Sequence, residues 1–188
     1  MDYQDDTTFK PNTTPTEVIQ AGAFGGSYFG IAIDDTEDDY TDLFQALFPQ
    51  VPTELYLLPK YSAKANKFKI RSGKDYKYWK RMKWINYQDP RGWFQWYCNY
   101  SLGRRCSDDE RQIGRWNDFC GVNGRWRNNI YGRIHTTGDW DVSPRIQQSL
   151  LHWGYQVNKH DYELWLLSKP RTRNLNKTPN KLYIFNKL

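Results

Sequence analysis

Apolar side chains recur at three- and four-residue spacing in five stretches, each bracketed by helix start or stop residues. Tyr40, Leu43, Phe44 and Leu47 form the first, with Thr36 placed to cap it, Glu37, Asp38 and Asp39 in its first turn, and Pro49 closing it. Trp93, Trp96, Tyr97 and Tyr100 form the second, entered through a turn at Pro90 and Gly92 and stopped at Gly103. In the third, Ile113, Trp116 and Cys120 follow Ser107-Asp108-Asp109-Glu110, the pattern of a capping box, and Gly121 ends the run. A short turn, Val122-Asn123-Gly124, leads to the fourth, with Trp126, Ile130 and Ile134 in register. Ser143-Pro144 opens the fifth, which buries Ile146, Leu150 and Trp153 and stops at Gly154.

Between these stretches the pattern changes. Gly25-Gly26 reads as a tight turn or bulge between aromatic strands, since it has neither the Gly-x-Gly-x-x-Gly nor the Lys-Ser/Thr signature of a phosphate-cradling loop. Residues 60–77 alternate Lys with Tyr and Phe around Ser72-Gly73, as an exposed basic hairpin or loop would. Leu55 to Leu58, between two prolines, is too short to assign, and Tyr162 to Leu167 is a candidate strand. Residues 1–16 have no hydrophobic period and predict a flexible acidic arm; residues 169–188 predict a basic C-terminal tail; 17–168 are the globular domain between them. The expected fold class is α+β: a mostly helical single domain with a few short strands.

Charge sharpens this picture because it is split. Residues 1–59 carry one Lys against eleven acidic residues, a net −10, while 60–188 carry 26 Lys and Arg against ten, a net +16. Such a body repels itself unless an anion lies near. Its neutraliser is either the chain's own acids, clustered at Asp34, Asp35, Glu37, Asp38, Asp39 and Asp42, or a polyanion such as DNA or RNA. No run of 18 apolar residues is present, and the acidic, polar opening residues are not those of a secretory signal, so we expect an intracellular protein with no membrane partner. Cys98, Cys106 and Cys120 are too few for a disulfide framework, which fits a reducing compartment. They also lack zinc-site spacing with one another or with His135. Buried thiols and no cofactor are therefore expected.

Four strings stand out: Gln88-Asp89-Pro90-Arg91-Gly92-Trp93-Phe94-Gln95-Trp96-Tyr97-Cys98, Gly103-Arg104-Arg105, Asp108-Asp109-Glu110-Arg111-Gln112-Ile113 and Ser149-Leu150-Leu151-His152-Trp153-Gly154-Tyr155. They resemble an uncharacterised family of large DNA viruses and of fungi, oomycetes and other microbial eukaryotes, over about Gly22 to Tyr155. The resemblance implies a source class, with the virion as a further location, and carries over no activity and no catalytic residue.

The candidate chemistry is aromatic and cationic. All nine Trp lie between Trp79 and Trp165, interleaved with Arg. Such a mixture either makes a dense core with Arg on its rim or presents stacking platforms and phosphate clamps. The third and fourth helices have helix-turn-helix spacing, and the fourth offers Arg125, Arg127, Asn128, Asn129 and Arg133, the side-chain types that read base edges. The cluster of Trp93, Trp96, Tyr97, Arg104, Arg105, Arg115 and Trp116 is expected to be mostly core, with Arg91, Arg104 and Arg105 facing solvent as phosphate contacts. Lys64, Lys67, Lys69, Arg71 and Lys74 extend that footprint. His135, Asp139, Asp141 and His152 lie near one loop and could perform metal or acid–base chemistry, but no nucleophile sits in a recognisable signature, so an enzyme acting on nucleic acid ranks third. A basic, Trp-rich nucleic-acid-binding protein ranks first and a protein–protein or virion assembly component second. On this reading Arg104→Ala with Arg105→Ala weakens binding without loss of stability.

Overall fold

The computed structural model describes residues 8–33 and 39–169. Within them the chain is helical: α1 (Pro15–Gln20), α2 (Thr41–Leu47), α3 (Tyr76–Arg81), α4 (Trp93–Ser101), α5 (Asp109–Cys120), α6 (Arg125–Thr137), α7 (Pro144–His152) and α8 (Lys159–Ser168). Single 3-10 turns lie at Thr53–Leu55 and Ala63–Ala65. The α+β expectation is therefore corrected. Among the described residues there is no strand, and the one β feature is an isolated bridge between Asn86 and Asp89. Nor is any described helix long and apolar enough to cross a membrane. The Thr36 cap, the acids at 34–38, residues 1–7 and the tail from 170 onward lie outside the described residues.

Two corrections have clear causes. Tyr162 to Leu167, expected as a strand, lies in α8 because Asn158 caps that helix, its Oδ1 accepting the Asp161 amide at 2.8 Å. Tyr162 and Trp165, three apart, then both reach Tyr131 of α6, at ring-centroid distances of 5.7 and 6.1 Å. Around Gly25-Gly26 no strands form either; Phe29 and Gly30 both donate backbone N–H groups to the Tyr56 carbonyl, so two loops pair without a ladder. Gly22, at φ +61°, must be glycine, since a Cβ there would lie 1.8 Å from the Ala65 carbonyl oxygen.

The helix α4 is the centre of the fold. It packs on α1 and α2, while α6 packs on α5, α7 and α8. Trp93 through Cys98 are all buried, and Trp96 is 0% exposed. The helix stops as its sequence implies: Gly103 takes φ +94°, and the Gly103 and Arg104 amides close onto the Tyr100 and Asn99 carbonyls. The start of α5 differs from the capping-box expectation. Its N-cap is Asp108, with no side-chain cap bond, and Ser107 takes no part. Asp109 instead accepts the Trp96 indole N–H at 2.8 Å and the Cys106 amide at 2.9 Å, tying α5 to α4.

Residues 8–16, expected within the arm, are packed into the body. The Phe9 ring lies 5.2–5.7 Å from the rings of Trp96, Tyr97, Tyr100 and Trp116. The amides of Asn12 and Thr13 both donate to the Gly154 carbonyl at 3.1 Å, and Tyr97 Oη donates to the Thr13 carbonyl at 3.0 Å. A short capping box at Thr14 and Glu17 then starts α1. The segment lacks period because one large ring, rather than a helical stripe, does the packing. We expect Trp96→Ala to cost ~3–5 kcal/mol of unfolding free energy in chemical denaturation. Phe9→Ala should cost about 3 kcal/mol, at the lower end of the same range, whereas truly unpacked residues would tolerate the change.

Candidate functional site

The tryptophans divide into two sets by what their indole N–H groups do. Trp93 donates to the Gln112 carbonyl, Trp96 to Asp109, Trp116 to the Trp153 carbonyl and Trp165 to Asn128 Oδ1, at 2.8–3.4 Å. Trp79, Trp84, Trp126, Trp140 and Trp153 donate to no group among the described residues. Trp140 packs on Tyr162; the other four, together with Trp93, line one open cavity of about 520 Å³. Local structure explains the pairing of the first two. Asp75 caps α3 by accepting the Tyr78 amide at 2.8 Å, and the helix ends with Lys83 at φ +55°. The Trp84 amide then bonds back to the Trp79 carbonyl at 3.0 Å, so the chain reverses and both indoles meet the cleft.

Arg115, from α5, sits at the middle of this wall. Its guanidinium lies 5.6 Å from the Trp84 ring and 5.3 Å from the Trp153 ring, with one bond to Gln112 Oε1 at 3.0 Å. Burial, with Arg111 close by, lowers its pKa to about 10. No carboxylate among the described residues pairs with Arg115, Arg125 or Lys74, although Asp118 also lines the cavity. Beyond Arg115 and Arg125 a second, wider hollow of about 780 Å³ opens toward Lys10 and Asn123. The result is a continuous aromatic trough with positive charge along it.

The other anticipated contacts scatter. Arg91 is 9% exposed and donates through Nη1 to the Tyr28 and Ile31 carbonyls at 2.9 and 3.0 Å, so it is not a solvent-facing arm. Arg104 pairs at 2.5 Å with Asp89, which is 0% exposed and also accepts from Asn99 at 2.9 Å. Burial outweighs these partners and leaves the Asp89 carboxyl pKa raised. Arg105 stacks 3.7 Å from the centre of the Tyr100 ring and donates to the Tyr100 and Arg104 carbonyls. Along α6, Arg127 is buried against Asp161 at 3.3 Å and lies over Tyr155. Asn128 is bonded to Val122, Gly124, Trp165 and Lys169. Only Arg125, Asn129 and Arg133 remain on the exposed face of that helix, with Arg133 Nε donating to Asn129 Oδ1 at 2.9 Å. Because α8 covers its flank, α6 lacks the free surface of a groove-reading helix. Lys67 and Lys69 are exposed near Phe68, and Arg71 lies 5.0 Å over Tyr61.

His135 and His152 do not form a joint site with the two aspartates. His135 bonds Tyr162 Oη at 3.1 Å, and Asp139 accepts the Asp141 amide at 2.9 Å, shaping the turn before α7. His152 stacks on Phe24 at 4.7 Å and donates from Nε2 to the Ala23 carbonyl. Burial lowers its pKa from 6.5 to about 4. Among the described residues no group of three or more His, Cys, Asp or Glu could hold a metal ion. Cys98 and Cys120 are buried free thiols whose pKa values are raised by burial.

No protein-family model, no curated protein and no solved structure matches the chain. The likeness to the family of large DNA viruses and microbial eukaryotes therefore rests on the four sequence strings alone.

Two measurements test these assignments. Arg104→Ala leaves a buried carboxylate unpaired and should destabilise the protein by about 3 kcal/mol, contrary to the solvent-facing expectation; adding Asp89→Asn should recover at least about 1 kcal/mol of it. His152, neutral when folded, favours unfolding once the unfolded chain can protonate it. Its contribution is complete above pH 6.5 and is lost as pH falls toward about 4, up to about 3 kcal/mol. Denaturation midpoints followed over that window should lose this part of their slope in His152→Gln; an unchanged slope would assign it to other groups.

Proposed function

We propose that this protein binds nucleic acid in the tryptophan cleft, with the strand's bases stacking on the indoles and its phosphates meeting Arg115, Arg125 and Lys74. The observation that carries this reading is Arg115, a largely buried guanidinium between Trp84 and Trp153 that has no carboxylate partner among the described residues. Burying a cation is costly unless an anion compensates it. A ligand that brings both phosphate charge and flat π faces satisfies the cation and the rings together. Stacking requires accessible base faces, which a duplex conceals, so a single strand is the expected form. Contacts of this kind read charge and ring area rather than sequence.

A second reading, a protein–protein or assembly component, draws on Leu164, Leu166 and Leu167 exposed along α8. It places the partner on α8, which contributes no residue to the cleft lining, so variants in the cleft separate the two.

Fluorescence anisotropy with single- and double-stranded DNA and RNA at two salt concentrations tests the proposal. Trp84 is 37% exposed and holds no hydrogen bond through its indole. We expect Trp84→Ala to weaken single-strand binding by about 1–3 kcal/mol with little change in melting temperature. Arg115→Gln should flatten the salt dependence by roughly 0.7 in log–log slope, the loss of one phosphate contact, while Arg133→Ala leaves it unaltered. Duplex binding as tight as single-strand binding, or full retention in both cleft variants, would refute this reading.

A further inference from the structure

We propose that a small pocket opening from one end of the cleft is a phosphate-monoester site that takes the terminal phosphate of the bound strand. The strand part of this inference rests on the cleft reading above; the pocket rests on its own geometry. It encloses about 120 Å³ and shares Tyr28, Lys74, Trp79 and His152 with the cleft, but no lining residue with the wide hollow at Lys10. It therefore lies at the opposite end of the trough. On the same measure it is less than a quarter of the cleft's 520 Å³, a size that suits a tetrahedral oxyanion.

Three cations line it: Arg71, Lys74 and Arg91. None of them forms an ion pair among the described residues. Arg71 is braced over Tyr61 at 5.0 Å and Lys74 over Tyr78 at 5.2 Å, so both stems are positioned by rings rather than by carboxylates. Arg91 is held from behind by the Tyr28 and Ile31 carbonyls, yet its buried Nε has no hydrogen-bond acceptor. Asp75 is the one described carboxylate on the wall, and its Oδ1 is already committed to the Tyr78 amide that starts α3. The neutral His152 adds no charge of either sign. Among the described residues, three cations against one carboxylate leave a net excess of about two. A phosphate monoester, at about −1.5 to −2 near neutral pH, matches that excess better than the single charge of an internal diester. This is why the geometry points to a strand end.

The test uses the full chain and single-stranded DNA oligonucleotides carrying a 5′-phosphate, a 3′-phosphate or hydroxyls at both ends, read by fluorescence anisotropy. We expect one of the terminal phosphates to raise affinity about tenfold, a coupling of the size that one well-placed charge-assisted contact supplies. Arg71→Gln, which lines the pocket and not the cleft, should remove most of that gain and leave the hydroxyl-ended strand bound as before. Equal affinity for phosphorylated and hydroxyl ends, with cleft binding intact, overturns the pocket and spares the cleft. A gain that persists undiminished in Arg71→Gln overturns it as well. Calorimetric titration with inorganic phosphate and with a nucleoside monophosphate separates the sources. Binding of either that is as tight as that of the phosphorylated strand assigns the pocket to free phosphate and overturns the strand-end proposal. If the hydroxyl-ended strand fails to bind at all, the cleft reading falls, and this titration judges the pocket alone.

Discussion

The Trp96 indole N–H donates to Asp109 across the junction of α4 and α5, and the second Asp109 oxygen takes the Cys106 amide. This one carboxylate lets the largest side chain of the core be fully buried without stranding its polar edge, which would otherwise cost a desolvated donor. The same condition is met around it by other means. Tyr28 donates to the Arg91 carbonyl, Tyr97 to the Thr13 carbonyl, and Tyr131 and Tyr155 share a bond that ends on Asp161. A core built of amphipathic rings is therefore also a network, and its members fix the relative placement of helices that share little regular backbone pairing.

The network explains why residues from distant parts of the chain are held together. Phe9 closes the aromatic cluster from the N-terminal side, and the Asn12 side chain exchanges bonds with the backbone of Gln156 at the far end. Asn66, fully buried, serves the 60–77 segment in the same manner: it accepts the Gly25 amide and donates to Tyr61 and Ile70. A basic, polar segment that reads as exposed is in this way fastened to the first loop by one amide side chain.

Where rings outnumber the internal acceptors, they line the cleft. Trp79, Trp84, Trp126 and Trp153 stand there with Arg115, whose guanidinium meets rings and an amide rather than a carboxylate. Elsewhere Arg104 pairs with Asp89 and Arg127 with Asp161, while Arg91 is held by the Tyr28 and Ile31 carbonyls. The contrast separates arginines that hold the structure from arginines whose surroundings suit an anion, and it moves the candidate interface from the helical pair α5–α6 to the trough beside it.

Local physics was legible in the chain itself. The spacing of Trp93, Trp96, Tyr97 and Tyr100 with Gly103 defined α4, and Ser143-Pro144 marked the start of α7, because period, proline and glycine act within a few residues. The burial of most rings of the central block was legible for the same reason. What tertiary structure alone decided is which polar group meets which. Tyr162 to Leu167, a short apolar run that reads as a candidate strand, is helical because α6 offers rings and no strand edge is at hand among the described residues. The capping box read at Ser107 and Glu110 does not form, and the Asp108 and Asp109 between them serve Arg111 and Trp96. Arg91 and Arg104, at turns that suggest exposure, are drawn inward by carbonyls and a carboxylate brought close only by folding. The free indole N–H groups of the cleft have no sequence signature, since satisfaction of a donor depends on the distance to an acceptor remote in the chain.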